Sequence, residues 1–249
     1  MRLEFFDCNC YVGLPTNPPP RPVRTAGELL KEMDRAGVAK ALVWHAVQRD
    51  ASVQEGNRLI AEAIRGQEKR LCGCWSILPT QTGELPAPDR LFGMMKEHNI
   101  RALRAFPSSH NYLLRKESVG KILAPMCRRK VPLVLAGVDW PTIYALMADF
   151  PKLTCIVCET GLWGPDRWFR PLVEKHRGFH VEISQYFLAG GIADFVEWRG
   201  ARQMVFGSSF PDQDYGGMML TLRHAEIGEK DRQAIAGGNV ERILAEGRL

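Results

Sequence analysis

The feature that most constrains this chain is its alternation. Short apolar runs rich in β-forming residues recur from end to end, and between them lie stretches with helical spacing and their own start and stop signals. Strands are expected near Leu3–Tyr11, Lys40–Trp44, Leu71–Leu78, Ile100–Phe106, Val131–Gly137, Leu153–Glu159, His180–Tyr186 and Gln203–Ser208. Thr25-Ala26-Gly27-Glu28 is a capping box, and Gly37 stands where the helix it opens should close. Ser52-Val53-Gln54-Glu55 opens the next helix. Further helices are expected over Asp89–Glu97, Ser118–Lys130, Pro141–Asp149, Pro165–Lys175, Ile192–Trp198, Gly217–Ala225 and Lys230–Ala245. Eight strand–helix units in 249 residues come to about 31 residues each, which fits an α/β fold of the single-domain (β/α)8 TIM-barrel type. A doubly wound open sheet would need a glycine-rich phosphate turn after its first strand. Asn9-Cys10-Tyr11-Val12-Gly13-Leu14-Pro15 supplies none. No linker or compositional break divides the chain, so residues 1–249 read as one domain. The proline-rich stretch Pro15–Pro22 is expected to be a loop over the barrel mouth.

Composition removes several classes. Hydrophobic residues make up 45% of the chain, enough to build a large core and to exclude a disordered or collagenous chain. The formal charge of +5 is modest and scattered, and a run such as Arg128-Arg129-Lys130 is too short for a nucleic-acid stripe. No apolar stretch reaches the roughly 18 residues of a membrane span. The opening Met1-Arg2-Leu3-Glu4-Phe5-Phe6-Asp7 has no signal-peptide pattern, so a cytoplasmic location is expected. The seven cysteines are an odd number. Cys8, Cys10, Cys72, Cys74, Cys155 and Cys158 fall in strand-like runs and Cys127 in a helix, which reads as reduced, buried thiols. Cys8-x-Cys10 and Cys72-x-Cys74 each place two sulfurs on one face of a strand, but strands one and three are not neighbours. Cys155-x-x-Cys158 places its sulfurs on opposite faces. No thiolate metal site is expected.

Local motifs then fall in a familiar order. They are Phe6-Asp7-Cys8-Asn9-Cys10-Tyr11-Val12-Gly13, Ala36–Val43, Ile100–Pro107, Phe150-Pro151-Lys152-Leu153, Phe206-Gly207-Ser208-Ser209-Phe210-Pro211 and Gly237–Leu244. In this order the chain resembles the amidohydrolase-related TIM-barrel family, which holds metal-dependent hydrolases, lactonases and aromatic-acid decarboxylases. The resemblance spans nearly the whole chain and implies a small-molecule substrate. It leaves a homodimer open, because barrels of this family commonly pair. The departures matter more than the matches. The two metal histidines that the family carries on strand one fall on Asn9 and Tyr11, and that of strand five falls at or near Ala136. The strand-six histidine falls on Glu159 and the strand-eight aspartate on Ser209. Amide, phenol and hydroxyl groups do not replace imidazole and carboxylate as ligands. No metal site and no cofactor are therefore expected.

Alternation puts Asp7, Asn9 and Tyr11 on one face of the first strand, pointed inward by the family pattern, and Cys8 and Cys10 on the other. The C-terminal strand ends of a barrel form its active site. They carry His45, Arg104, Glu159 and Ser208 or Ser209 from even strands. The odd strands give Asn9, Tyr11, Trp75 or Ser76, Asp139, and Ser184 or Tyr186, and His110 lies in the loop after strand four. Expected catalytic residues are Glu159, Arg104 and Asp139. Expected substrate contacts are Asn9, Tyr11, His45, Trp75, His110, Tyr186 and Ser209. Each has a plainer alternative. Arg104 and Glu159 could form a structural ion pair, Asp139 could cap the helix at Pro141, and His45 could be a hydrogen-bonded core histidine. His110 could sit in an ordinary surface loop. Trp44, Trp75, Trp140, Trp163 and Trp168 fall near strand ends, where they would wall the pocket or pack the core.

Three functions remain open. The first is metal-independent hydrolysis of a small carboxylated or hydroxylated lactone, ester or amide, with Arg104 holding a carboxylate or polarising a carbonyl and Glu159 or Asp139 activating water. The second is a catalytically degenerate barrel that binds a small molecule or partner. The third is a decarboxylase-like lyase.

Overall fold

The computed structural model describes residues 3–161 and 164–249. Eight strands lie side by side in sequence order, β1 (Phe5–Val12), β2 (Val38–His45), β3 (Leu71–Ser76), β4 (Ile100–Ala105), β5 (Leu133–Ala136), β6 (Cys155–Cys158), β7 (Phe179–Glu182) and β8 (Met204–Val205). Each pairs in parallel with the next. Cys8 N donates to Phe206 O at 3.1 Å and Tyr11 N to Phe210 O at 3.0 Å, which brings the last strand back to the first. The chain is a (β/α)8 barrel, as its alternation predicts. Strands covered on both faces need continuous apolar runs, and Leu133–Ala136 and Cys155–Cys158 are such runs.

The helices are α1 (Ala26–Ala36), α2 (Val47–Asp50), α3 (Val53–Ala63), α4 (Pro88–Glu97), α5 (Lys116–Arg129), α6 (Trp140–Asp149), α7 (Asp166–Lys175), α8 (Gly191–Arg199), α9 (Tyr215–His224), α10 (Glu229–Gln233) and α11 (Asn239–Glu246). Thr25 accepts from Glu28 N at the start of α1, and Gly37 ends it in the left-handed region at φ 80°. Glu28 reaches back to Arg24 N rather than Thr25 N, so the capping box closes one residue early. The short α2 has no signal of its own in the sequence, and it carries Arg49 and Asp50 to the barrel mouth. The long closing helix expected over Lys230–Ala245 is instead three pieces, with a π-helical turn over Ala234–Gly238 between α10 and α11. In that turn a Cβ on Gly237 would lie 2.7 Å from Glu4 O, so only glycine permits the approach to the edge of β1.

Two apolar layers result. One fills the space between strands and helices. The other fills the barrel, where Phe6, Leu42, Val134, Ile156 and Val205 meet Val240, Ile243 and Leu244 of α11. All seven cysteines are free thiols and six of them are buried. Among the described residues no helix is long and apolar enough to cross a membrane.

The expected alternation of β1 is broken. The register runs from Asp7 opposite Ala41 to Cys10 opposite Val43, so β1 spends one residue more than β2 over this span. That bulge re-aims the side chains. Cys8 joins Phe6 and Tyr11 in the barrel interior, while Cys10 joins the outer layer. Cys8 and Cys10 therefore part company, and Asp7 leaves the face of Asn9 and Tyr11. Its carboxylate lies at the seam between β1 and β8, accepting from Ser208 N at 3.0 Å and Ser208 Oγ at 2.5 Å.

Candidate functional site

The C-terminal strand ends enclose a cavity of about 200 Å³, below the roughly 300 Å³ at which drug-sized sites begin. Only a small molecule fits such a volume. The five positions where the family resemblance expects metal ligands, Asn9, Tyr11, Ala136, Glu159 and Ser209, all line it.

Arg104 enters from β4, whose Leu103 and Ala105 face the outer layer. The guanidinium is 1% exposed. Its Nη2 donates to Asn9 Oδ1 at 2.9 Å, and its carbon lies 4.5 Å from the ring centre of Trp44 and 5.3 Å from that of Phe106. Aromatic faces stabilise a cation that burial would otherwise penalise. Its Nε is buried without a partner, as is Trp44 Nε1. Buried N–H groups are nearly always paired, and here two residues that line one cavity each keep an unpaired one.

Glu159, at the end of β6, and Ser209, after β8, both have φ of 56°. A non-glycine residue there costs of order 1–3 kcal/mol and persists where its surroundings hold it. Asn9 does the holding: its Nδ2 donates to Glu159 Oε1 at 3.3 Å and to Ser209 Oγ at 3.1 Å. Ser209 Oγ also donates to Glu159 Oε1, at 3.2 Å. Among the described residues no ion pair joins Arg104 to Glu159. The Asn9 amide stands between them, and the direct structural pair open on sequence grounds does not form. At the mouth Tyr11 donates to Asp212 Oδ1 at 2.6 Å, and burial together with Asp212 pushes its phenol upward, so it stays protonated.

Beneath this layer lies Glu182, at the end of β7 and fully buried. Burial pushes it up to about 8 against the pull of hydrogen bonds from Ser184. Its carboxyl accepts from Ser184 N, from Ser184 Oγ at 2.7 Å and from Glu159 N at 3.4 Å. A Cβ on Gly207 would sit 2.5 Å from Glu182 Cγ, so the glycine of the Gly207-Ser208-Ser209 motif is the room Glu182 occupies.

Of the residues selected by sequence, the structure brings Asn9, Tyr11, Arg104, Glu159 and Ser209 together. It places five elsewhere. Asp139 is exposed and caps α6, accepting from Thr142 N at 2.9 Å, the plainer alternative raised for it. His45 accepts from Val47 N at 3.2 Å and packs against Gly13, where a Cβ would be 2.5 Å from its Cε1. Burial holds its pKa down. Trp75 points into the outer layer, 6.0 Å from the His98 ring. His110 stands edge-on to Phe106 at 5.8 Å, behind the cavity wall. Tyr186 donates to Asp166 Oδ1 at 2.8 Å in the outer layer, because β7 ends at Glu182 and the alternation does not reach it. Of the tryptophans, Trp44 walls the cavity, Trp140 and Trp168 stack on each other at 6.4 Å, and Trp163 lies outside the described residues. The proline-rich loop lines a neighbouring groove rather than the cavity, and Thr16 N ties it to Asp50. Sequence reasoning missed Glu182, Phe106, Arg49 and Asp212. Glu182 had a signal, a carboxylate two residues from His180 and from Ser184 on one strand face, inside an apolar run.

Residues 11–245 match the family model described as amidohydrolase. The chain belongs to the amidohydrolase family. Proteins of known structure superimpose on it along nearly their whole length despite low identity. A 2,6-dihydroxybenzoate decarboxylase from Rhizobium is 15% identical with a TM-score of 0.75, covering 98% of this chain and 99% of that one. A dihydroxybenzoic acid decarboxylase from Polaromonas, solved with bound manganese and 2-nitroresorcinol, is 16% identical with a TM-score of 0.76, covering 98% and 97%. A 5-carboxyvanillate decarboxylase from Sphingomonas paucimobilis is 16% identical with a TM-score of 0.72, covering 98% and 99%. No curated protein matches the chain significantly. At this identity the likeness fixes the fold and nothing finer.

A divalent metal of the kind that the Polaromonas decarboxylase holds does not fit the residues present here. Among the described residues no cluster of three or more His, Cys, Asp and Glu side chains could hold one. The unpartnered groups on residues lining this cavity are N–H donors, and the Glu159 and Asp212 carboxylates share it with the Arg49 and Arg104 guanidiniums. The N–H donors and guanidiniums favour an anion, and two carboxylates without imidazole or thiolate partners make a poor cation cage.

Proposed function

We propose that this amidohydrolase-family barrel is a metal-independent hydrolase of a small carboxylated ester, lactone or amide. The observation that carries the reading is the buried Arg104 guanidinium, which lines the cavity and keeps an unpaired Nε, with the Glu159 carboxylate one amide away. Arg104 receives the substrate's anionic or carbonyl oxygen and stabilises the charge that grows there as the tetrahedral intermediate forms. Glu159 takes a proton from water as the water oxygen bonds to the carbonyl carbon, then returns it to the leaving oxygen or nitrogen as that bond breaks. Asn9 keeps both groups positioned and uncollapsed. Because Asp139 stands outside the cavity, Glu159 is the general base of this proposal.

The test is turnover on a panel of small carboxylated lactones, esters and amides. Arg104→Met and Glu159→Gln should each lower kcat/KM by at least about 10²-fold with little change in melting, since methionine keeps the apolar stem of the arginine and glutamine keeps the acceptor oxygen of the glutamate. Activity retained in either variant overturns the assignment. Ligand-induced stabilisation without turnover would favour a binding barrel.

One observation favours a second reading. Trp44 and Phe106 flank Arg104, a setting suited to a flat aromatic acid like those named for the neighbouring decarboxylases. Release of carbon dioxide from hydroxybenzoates, with no hydrolysis on the panel, would replace the hydrolase by a lyase.

A further inference from the structure

Glu182 has no part in the chemistry above, yet it is wired to it. Ser184 Oγ lies 2.7 Å from Glu182 Oε2 and 3.1 Å from Ser209 Oγ, and Ser209 Oγ lies 3.2 Å from Glu159 Oε1. The other contacts of Glu182 are the peptide N–H groups of Ser184 and Glu159, which do not relay protons. We propose that Glu182 is a positioning residue that shares one proton with Glu159 through the hydroxyls of Ser184 and Ser209. The role rests on Glu159 as the acid–base group of the cavity.

The transfer balances. The Glu182 proton passes to Ser184 Oγ, the Ser184 proton to Ser209 Oγ, and the Ser209 proton to Glu159 Oε1. Glu182 is left a carboxylate, Glu159 becomes a carboxylic acid, and both hydroxyls are restored. Either serine can act as donor in the contact between them. Surroundings decide where the proton rests. Glu182 faces the carboxylates of Glu159 and Asp7, both of which raise it, and its charge is felt by the Cys8 and Cys158 thiols. β8 sets the apolar Val205 beside it and the turn after β8 sets Gly207 against it, neither of them charged. Arg104 is the nearby cation of the barrel interior, and it acts on the same two thiols. Burial without a cation of its own keeps the shared proton on Glu182 at neutral pH. Glu159, half-buried beside Asn9, is then the cavity end of the wire, with the proton held in reserve at the other end.

The experiment is infrared spectroscopy of the whole protein. The carbonyl band of a buried carboxylic acid, absent in Glu182→Gln, should appear in the native protein. On transfer to deuterium oxide it should shift in a fast phase that Ser184→Ala loses. Because Ser184 does not line the cavity, this readout does not depend on substrate. In parallel, the alkaline limb of the pH–rate profile should vanish in Glu182→Gln, which a purely structural role would not cause. A missing band, or exchange equally fast in Ser184→Ala, overturns the proposal while leaving the hydrolase reading standing. Wire-dependent exchange in a protein that turns over nothing on the panel would keep the proton sharing and remove the hydrolase.

Discussion

At the scale of single residues, the site is governed by charges that burial has made sensitive to their neighbours. Glu182 has its folded pKa raised to about 8 from an ordinary 4.5. The folded state therefore binds the extra proton between those values, and stability falls as pH rises through that window. His180 acts in the opposite sense. Burial lowers it to about 4, so its contribution is lost as pH falls from 6.5 towards 4. Melting followed across pH 4.5 to 8.5 should show a decline toward the alkaline end that Glu182→Gln flattens and the native protein retains. An unchanged slope would mean that Glu182 is ionised in the fold. Gly207→Ala tests the same group sterically. Its methyl would enter the space of Glu182 Cγ and Cδ, so a loss of about 1–3 kcal/mol is expected by denaturant unfolding. Full stability would show that Glu182 sits elsewhere.

At the scale of elements, Asp139 separates capping from catalysis. Asp139→Ala should cost about 1 kcal/mol through α6 and leave turnover at the native rate; a large kinetic defect would return Asp139 to the site. Asn239 ties α11 to the start of β8, with Nδ2 donating to Ala201 O and Met204 O at 2.8 Å each. Asn239→Ala removes both bonds, leaving Ala201 O with Met204 N alone, and should cost about 1–3 kcal/mol by denaturant unfolding. What the sequence made legible follows element type. Strands were readable because parallel strands must be apolar throughout, and α1 and α3 because Thr25 and Ser52 announce their caps. The bulge in β1 left no mark in Asp7-Cys8-Asn9-Cys10. It arises from pairing with β2, so period-two reasoning misplaced Asp7 and Cys8. The same reasoning overshot on β7, where Tyr186 was projected from a strand that had already ended, and it passed over Glu182 because a mid-strand carboxylate looks like a solvated residue until the barrel closes around it. His45, Trp75 and His110 lie near the correct strand ends, but which way each turns is a tertiary matter. Arg104 and Glu159 stood out because a charge at the end of an apolar strand has nowhere to point but the mouth.

At the scale of the whole molecule, the barrel keeps its strand order and its mouth while its cavity carries a guanidinium and a carboxylate. Protein purified without chelator or a metal-binding tag should contain no stoichiometric zinc or manganese by elemental analysis, and chelation should leave turnover unchanged. One equivalent of metal lost together with activity would restore the metal-dependent reading. Asn9 has a consequence for the cavity as a whole. Its oxygen accepts from the Arg104 guanidinium and its nitrogen donates to the Glu159 carboxylate, so the amide works like the dielectric of a small capacitor whose plates are held apart. A visiting molecule meets a standing dipole rather than a neutral contact. Zwitterions, and acids with a donor group beside the carboxylate, couple to such a dipole at both ends, whereas a plain anion couples at one.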